Sequence, residues 1–194
     1  MTAYDNIEVP ADGKYWDDWV KQTSVDEVSQ MYTGWDPELL SLLQALDEAS
    51  RWAVHTVRPL PRFVSGNVAL IGDAAHAMTP HLGLGGGQGI HDAFILSQLL
   101  VHSLIGPSTL SNALKVYDEI RRPASQQIAQ WSLECGQMYG FLLPKERDLS
   151  SFSLAREFHL RTDWLKDANV LDSDLEKALN ELRKWDEKVV TGIE

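Results

Sequence analysis

The chain has 194 residues, 44% of them hydrophobic and 23% charged, with a formal net charge of −11 and a pI near 4.9. This balance suits a folded globular protein and excludes the basic footprint that nucleic acid or an anionic membrane surface requires. A single cysteine, Cys135, excludes an internal disulfide; with no signal-like N-terminus and no apolar run of membrane length, the expected compartment is the cytoplasm.

Residues 1–15 are polar, carry Pro10 and Gly13, and read as an irregular arm. Ser24-Val25-Asp26-Glu27 fits a capping box and predicts a short helix to about Tyr32. Asp36 followed by Pro37 predicts a second start, with Leu39, Leu40, Leu42, Leu43 and Leu46 giving a helix over 37–48 a broad apolar face. Residues 51–57, rich in β-branched and aromatic types, predict a strand ended by Pro59 and Pro61, with His55 as a structural residue on its face. After the turn Ser65-Gly66-Asn67, the run Val68-Ala69-Leu70-Ile71 predicts a buried strand.

A helix is predicted over 88–105, its apolar residues nearly encircling it, so a central position is expected. Ser108 then caps a helix running to about Tyr139, which Pro123 should kink or divide. Pro144 marks a break. A second capping box, Ser173-Asp174-Leu175-Glu176, opens a last helix striped by Leu175, Ala178, Leu179, Leu182, Trp185 and Val189. The expected fold class is mainly α with a small β element (α+β). One compact domain over 1–194 is expected, with a strand–loop–helix block at 66–105 and a helical region at 108–194.

The chemistry concentrates at 72–89, GDAAHAMTPHLGLGGGQG, where five glycines fall within positions 83–89. Successive glycines between a strand and a helix let backbone approach a ligand closely, and the amides opening the helix favour negative charge or carbonyl oxygens. The dinucleotide pattern GxGxxG is not met, because position 88 is Gln, and no Walker A loop occurs. His76, His81 and His91 do not form a convincing ligand set, so no metal is assigned. No Gly-x-Ser-x-Gly elbow exists, and Cys135 reads as a buried helical thiol rather than a nucleophile.

The run Gly66-Asn67-Val68-Ala69-Leu70-Ile71-Gly72-Asp73-Ala74-Ala75-His76 resembles the second flavin-binding motif of group A FAD-dependent monooxygenases. Ala77-Met78-Thr79-Pro80-His81 is close to the salicylate-hydroxylase-like branch. Ile90, Asp92-Ala93, Leu96, Tyr117, Arg121-Arg122-Pro123 and, upstream, Gly34-Trp35-Asp36-Pro37-Glu38-Leu39 extend the resemblance over roughly residues 16–140. His91, where the family more often has Glu, and Leu84, where a small residue or Gln is common, depart from it.

The resemblance implies the helical C-terminal segment of the flavin monooxygenase fold, truncated. It implies that Asp73 hydrogen-bonds a ribityl hydroxyl and that Pro80 and the glycine loop lie against the isoalloxazine ring. Gly83, Gly85, Gly86, Gly87, Gln88 and Gly89 complete the expected cofactor-binding set, with the amides near Gly87–Gly89 facing the pyrimidine edge. The family's N-terminal GxGxxG unit fits nowhere before residue 66. Losing the contacts to the ADP half of FAD should remove several kcal/mol, each 1.4 kcal/mol being tenfold in affinity. FAD is therefore expected only with a partner half, and otherwise no cofactor.

Three readings follow. The first is a monooxygenase-like oxidoreductase of secondary metabolism, unable to hydroxylate alone and completed by a partner chain. The second is a flavin-independent cyclase or isomerase, of Diels–Alder type, using the vestigial pocket for an apolar or aromatic substrate. The third is a non-catalytic remnant. His76 and His81 are the catalytic candidates. Apolar surface uncovered by the missing half could also drive self-association into a homo-oligomer.

Overall fold

The computed structural model describes residues 18–140, 150–167 and 169–191, with side chains to residue 185. The predicted arm at 1–15 and the break at Pro144 lie outside the described residues, as does the side chain of Val189. The chain divides into two compact units, Met1–Val54 and His55–Glu194.

In the first unit, strand β1 (Val20–Thr23) precedes helices α1 (Val25–Met31) and α2 (Pro37–Gln44), and β2 (Ala49–Trp52) closes antiparallel on β1, Val20 opposite Trp52. Both predicted caps form. Ser24 Oγ accepts the Glu27 amide at 3.0 Å, and Asp36 Oδ1 accepts that of Glu38 at 2.8 Å. Helix α2 stops at Gln44 rather than reaching 48, and β2 covers only the first part of the predicted 51–57 strand. The boundary between the units falls inside that segment, so His55 is not on a strand.

The second unit opens with a hairpin, β3 (Val64–Ser65) and β4 (Val68–Ala69), across Gly66-Asn67. Gly66 takes φ +59°, which the tight two-residue connection needs. The run 68–71 is thus not a strand buried on both faces: Val68 remains 65% exposed. There follow the single turn α3 (Asp73–His76), a 3₁₀ turn at Pro80–Leu82, and α4 (Gly85–Leu100). Then come α5 (Leu110–Tyr139), α6 (Ser151–Thr162), a 3₁₀ turn at Asp163–Lys166, and α7 (Val170–Thr191).

Four expectations need correction. Helix α4 starts at Gly85, so most of the glycine run is its opening turns rather than a loop before it. Nor is α4 central: Ile95 and Leu99 are fully buried, but Ile90 on the opposite side is 74% exposed. Of the kink or division expected at Pro123, the division does not occur: α5 passes through it as one thirty-residue element, because a proline removes only one amide bond while packing holds the helix on either side. The second capping box lies within α7 instead of opening it, since the Ser173 amide already bonds the Asn169 carbonyl at 2.9 Å.

The core of this unit is Phe63, Ala75, Ile95, Leu99, Val116, Tyr117, Ala178 and Leu182, joining α4, α5 and the inner stripe of α7. Polar groups on α5 align the segment before α3. The Tyr117 hydroxyl donates to the Leu70 carbonyl at 2.8 Å, Gln126 Nε2 to that of Leu60 at 2.8 Å, and Asp118 Oδ1 accepts the Phe63 amide at 2.5 Å. Burial pushes the Tyr117 hydroxyl above its ordinary pKa, so it remains a donor across the working range.

Candidate functional site

The chain crosses from β4 to α3 at Gly72, whose φ of +58° is costly for any side-chain-bearing residue. Here two backbones meet: a Cβ on Gly89 would lie 3.3 Å from the Gly72 Cα. Asp73 follows directly on this contact and opens α3. Asp73 is exposed, as are Pro80, Gly83, Gly86 and Gly87.

The opening of α4 is unusually bare. No side chain caps it, and nothing stands within 4 Å of where a side chain at Gly86 or Gly87 would begin. The first amides of a helix have no intrahelical acceptor and carry the positive end of its dipole. Such uncrowded amides offer a hydrogen-bonding edge to a flat ligand bearing acceptor atoms.

The opposite face of α4 is closed by charge. Asp92 is fully buried and three groups converge on it. The Gly72 amide donates to Oδ2 at 3.0 Å, His76 Nε2 lies 2.5 Å from the same oxygen, and Arg121 Nε donates to Oδ1 at 2.9 Å. Burial alone would raise the Asp92 pKa, but the bonds from His76 and Gly72 and the Arg121 charge outweigh it and hold the carboxyl below its ordinary value. Arg121 Nη2 also donates to Gln88 Oε1 at 2.7 Å, and Nη1 lies 3.5 Å from Asp174 on α7. Burial, reinforced by the neighbouring Arg121, pushes His91 down to about 4, so its ring is neutral.

The residues singled out from sequence therefore separate. Asp73, Pro80 and Gly83, Gly86 and Gly87 lie on accessible surface. Gly89 is pressed against Gly72. The Gln88 side chain turns inward to Arg121, and its amide, expected from the sequence to face a ligand, is already spent on the Leu84 carbonyl at 2.9 Å, because it lies within the first full turn of α4. His76 is 2% exposed with its Nε2 committed to Asp92. His81 is half-buried beside Tyr139, its ring filling the space a side chain at Gly136 would need, and burial lowers its pKa. The segment before it is tied to α5, Ser132 Oγ donating to the Thr79 carbonyl at 2.6 Å.

Sequence reasoning missed the Asp92–Arg121–Asp174–His91 cluster. Its signal was the polar pair Gln88 and Asp92 on the same helical stripe as Ile95 and Leu99, where polar groups persist only with partners.

Residues 13–132 match the family model described as FAD binding domain. The chain is 38% identical over 163 residues to a salicylate hydroxylase of Pseudomonas putida, covering 82% of this chain and 36% of that protein. It is 36% identical over 132 residues to 6-methylsalicylate 1-monooxygenase atA of Aspergillus terreus, covering 65% of this chain and 28% of that protein. Among solved structures, a salicylate hydroxylase substrate complex superposes with a TM-score of 0.74 at 34% identity, over 87% of this chain and 41% of that one. The matches thus span only 28% to 41% of the length of these relatives. Among the described residues, no helix is long and apolar enough to cross a membrane.

Proposed function

Because the chain belongs to the salicylate-hydroxylase-like family of FAD-dependent monooxygenases, we propose that it carries the ribityl and ring end of an FAD site for oxidising a small aromatic substrate. The observation that supports this most directly is the uncapped, side-chain-free opening of α4 held against Gly72 beside the exposed Asp73. The donor set fits the group: a carboxylate for a ribityl hydroxyl, bare amides for a carbonyl edge, and Pro80 as a flat apolar neighbour. When bound, the flavin supplies the redox and oxygen chemistry. The chain's own residues orient it, and the positive end of α4 stabilises negative charge at the ring edge. His81, on the same segment as Pro80, is the candidate for contact with substrate. His76, closed in and bonded to Asp92, serves as a positioning residue for the Gly72–Asp73 turn.

No GxGxxG unit lies in the 194 residues. The ADP half of FAD is therefore held by another segment or a partner chain in the working enzyme. The test is fluorescence titration of the purified chain with riboflavin and with FAD. Both should bind weakly and within about twofold of each other, because the extra half of FAD finds no contacts here. Asp73→Ala should weaken both. FAD binding ten times tighter than riboflavin would refute the division of labour. Absence of any Asp73-dependent flavin binding would remove the cofactor role, leaving the flavin-independent cyclase to be tested on polyene substrates.

A further inference from the structure

The inner face of α4 borders a cleft of about 250 Å³ that neither the flavin surface nor the core accounts for. Its walls come from α5, the 3₁₀ turn after α6, and the start of α7. Trp131 and Trp164 stand with ring centroids 6.1 Å apart, inclined by 34°. Trp164 is fixed in place: its Nε1 donates to the Arg161 carbonyl at 2.8 Å, and Arg161 is itself clamped by Glu134 and Glu157 at 2.6 and 2.9 Å. Ile128 and Ala124 complete the apolar lining.

The floor is polar and incompletely satisfied. His91 is 4% exposed, and its Nε2 has no hydrogen-bond partner. It faces Asp174 Oδ2 across 3.6 Å, beyond hydrogen-bond reach. A buried polar atom left without a partner is a standing cost, and here it lines a space with aromatic walls. One hydroxyl between these two atoms would satisfy both, accepting from the His91 Nε2–H and donating to Asp174 Oδ2.

We propose that this cleft is a binding site for a neutral single-ring phenol, its ring against Trp131 and Trp164 and its hydroxyl between His91 Nε2 and Asp174 Oδ2. Size agrees: an apolar cavity of about 150 Å³ takes a benzene ring, so this one takes a ring with a substituent. Charge selects the neutral form. The buried Asp92 and half-buried Asp174 carboxylates face one guanidinium, Arg121, whose Nε and Nη2 already donate to Asp92 and Gln88. The Lys177 ammonium lies outside, on the other oxygen of Asp174 at 2.9 Å. An anionic ligand meets an excess of negative charge on the floor, whereas a hydroxyl proton meets an acceptor in Asp174 Oδ2. The site lies on the face of α4 opposite the exposed glycines, so it stands or falls independently of the flavin reading.

The experiment is titration of the purified chain with phenol, toluene and benzoate, without flavin, followed by tryptophan fluorescence and by the ring-proton NMR signals of His91. For a ligand this small the dissociation constant should be on the order of 1 mM. Phenol should saturate and shift the His91 signals, with toluene and benzoate each at least tenfold weaker. Ala124→Leu fills the cleft without opening a cavity and should abolish phenol binding while leaving the circular dichroism spectrum and melting temperature intact. Failure of phenol to saturate, equal binding of benzoate or toluene, or undiminished binding by a folded Ala124→Leu variant would each overturn the proposal.

Discussion

His91 should make the protein lose stability in mildly acid solution, well above the range where carboxylates titrate. Its folded pKa is about 4 against an ordinary 6.5, because burial and Arg121 outweigh the opposing pull of Asp174 and Asp92. A depressed folded value means that the unfolded chain binds the proton more readily. The contribution is therefore complete above pH 6.5 and is lost as pH falls towards 4. The full shift corresponds to about 3 kcal/mol, of which roughly 2 kcal/mol is lost between pH 7.5 and pH 5. His81 titrates in the same direction, so the informative quantity is a difference. Urea unfolding of the wild type and of His91→Gln from pH 7.5 to 5 should give a steeper decline for the wild type by about that amount. Parallel stability profiles would show that His91 is readily protonated in the folded protein and that its surroundings are wetter than the structure implies.

Arg121→Ala leaves the Asp92 carboxylate buried without its cation and should cost about 3–5 kcal/mol in urea unfolding; a loss under 1 kcal/mol would mean that Asp92 has taken up a proton or gained water. Gly136→Ala places a methyl where the His81 ring sits, and the ring should swing outward. The gain in helix propensity, about 1 kcal/mol, then offsets most of the lost packing. Stability should change little, while the His81 pKa measured by NMR rises towards 6.5; an unchanged pKa would show that α5 has moved instead of the ring.

Much of the helical framework was legible because it rests on local chemistry. Asp36-Pro37 and Ser24 announce helix starts through bonds made within three residues, and the stripe Leu175–Ala178–Leu182 announces its own buried side. The misreadings have non-local causes. Strand β1 reads as nothing in particular from Val20–Thr23 alone, because its partner, Ala49–Trp52, lies across two helices. Pro123 looks like a break until the packing of α5 on both sides is known. At the site, the density of the glycine run singled it out, but its membership in α4 was not legible, since glycine is a poor helix former. His76 was legible as a reactive type in a prominent motif. That its ring is spent on Asp92, sixteen residues away, was not.

The two faces of α4 explain why the charge is buried at all. A buried ion pair is weak evidence for stability, and apolar replacements of the same volume are often as good. What apolar residues cannot do is fix a register. Asp92 reaches the Gly72 amide, the His76 ring and the Arg121 guanidinium simultaneously only when the turn before α3, the helix α4 and the helix α5 stand in one alignment. That same alignment presses Gly72, the residue before the exposed Asp73, onto Gly89 of α4. The glycines that leave the outer face open have no side chains with which to hold it in place. The positioning must therefore come from behind the helix, and the Asp92 cluster supplies it there.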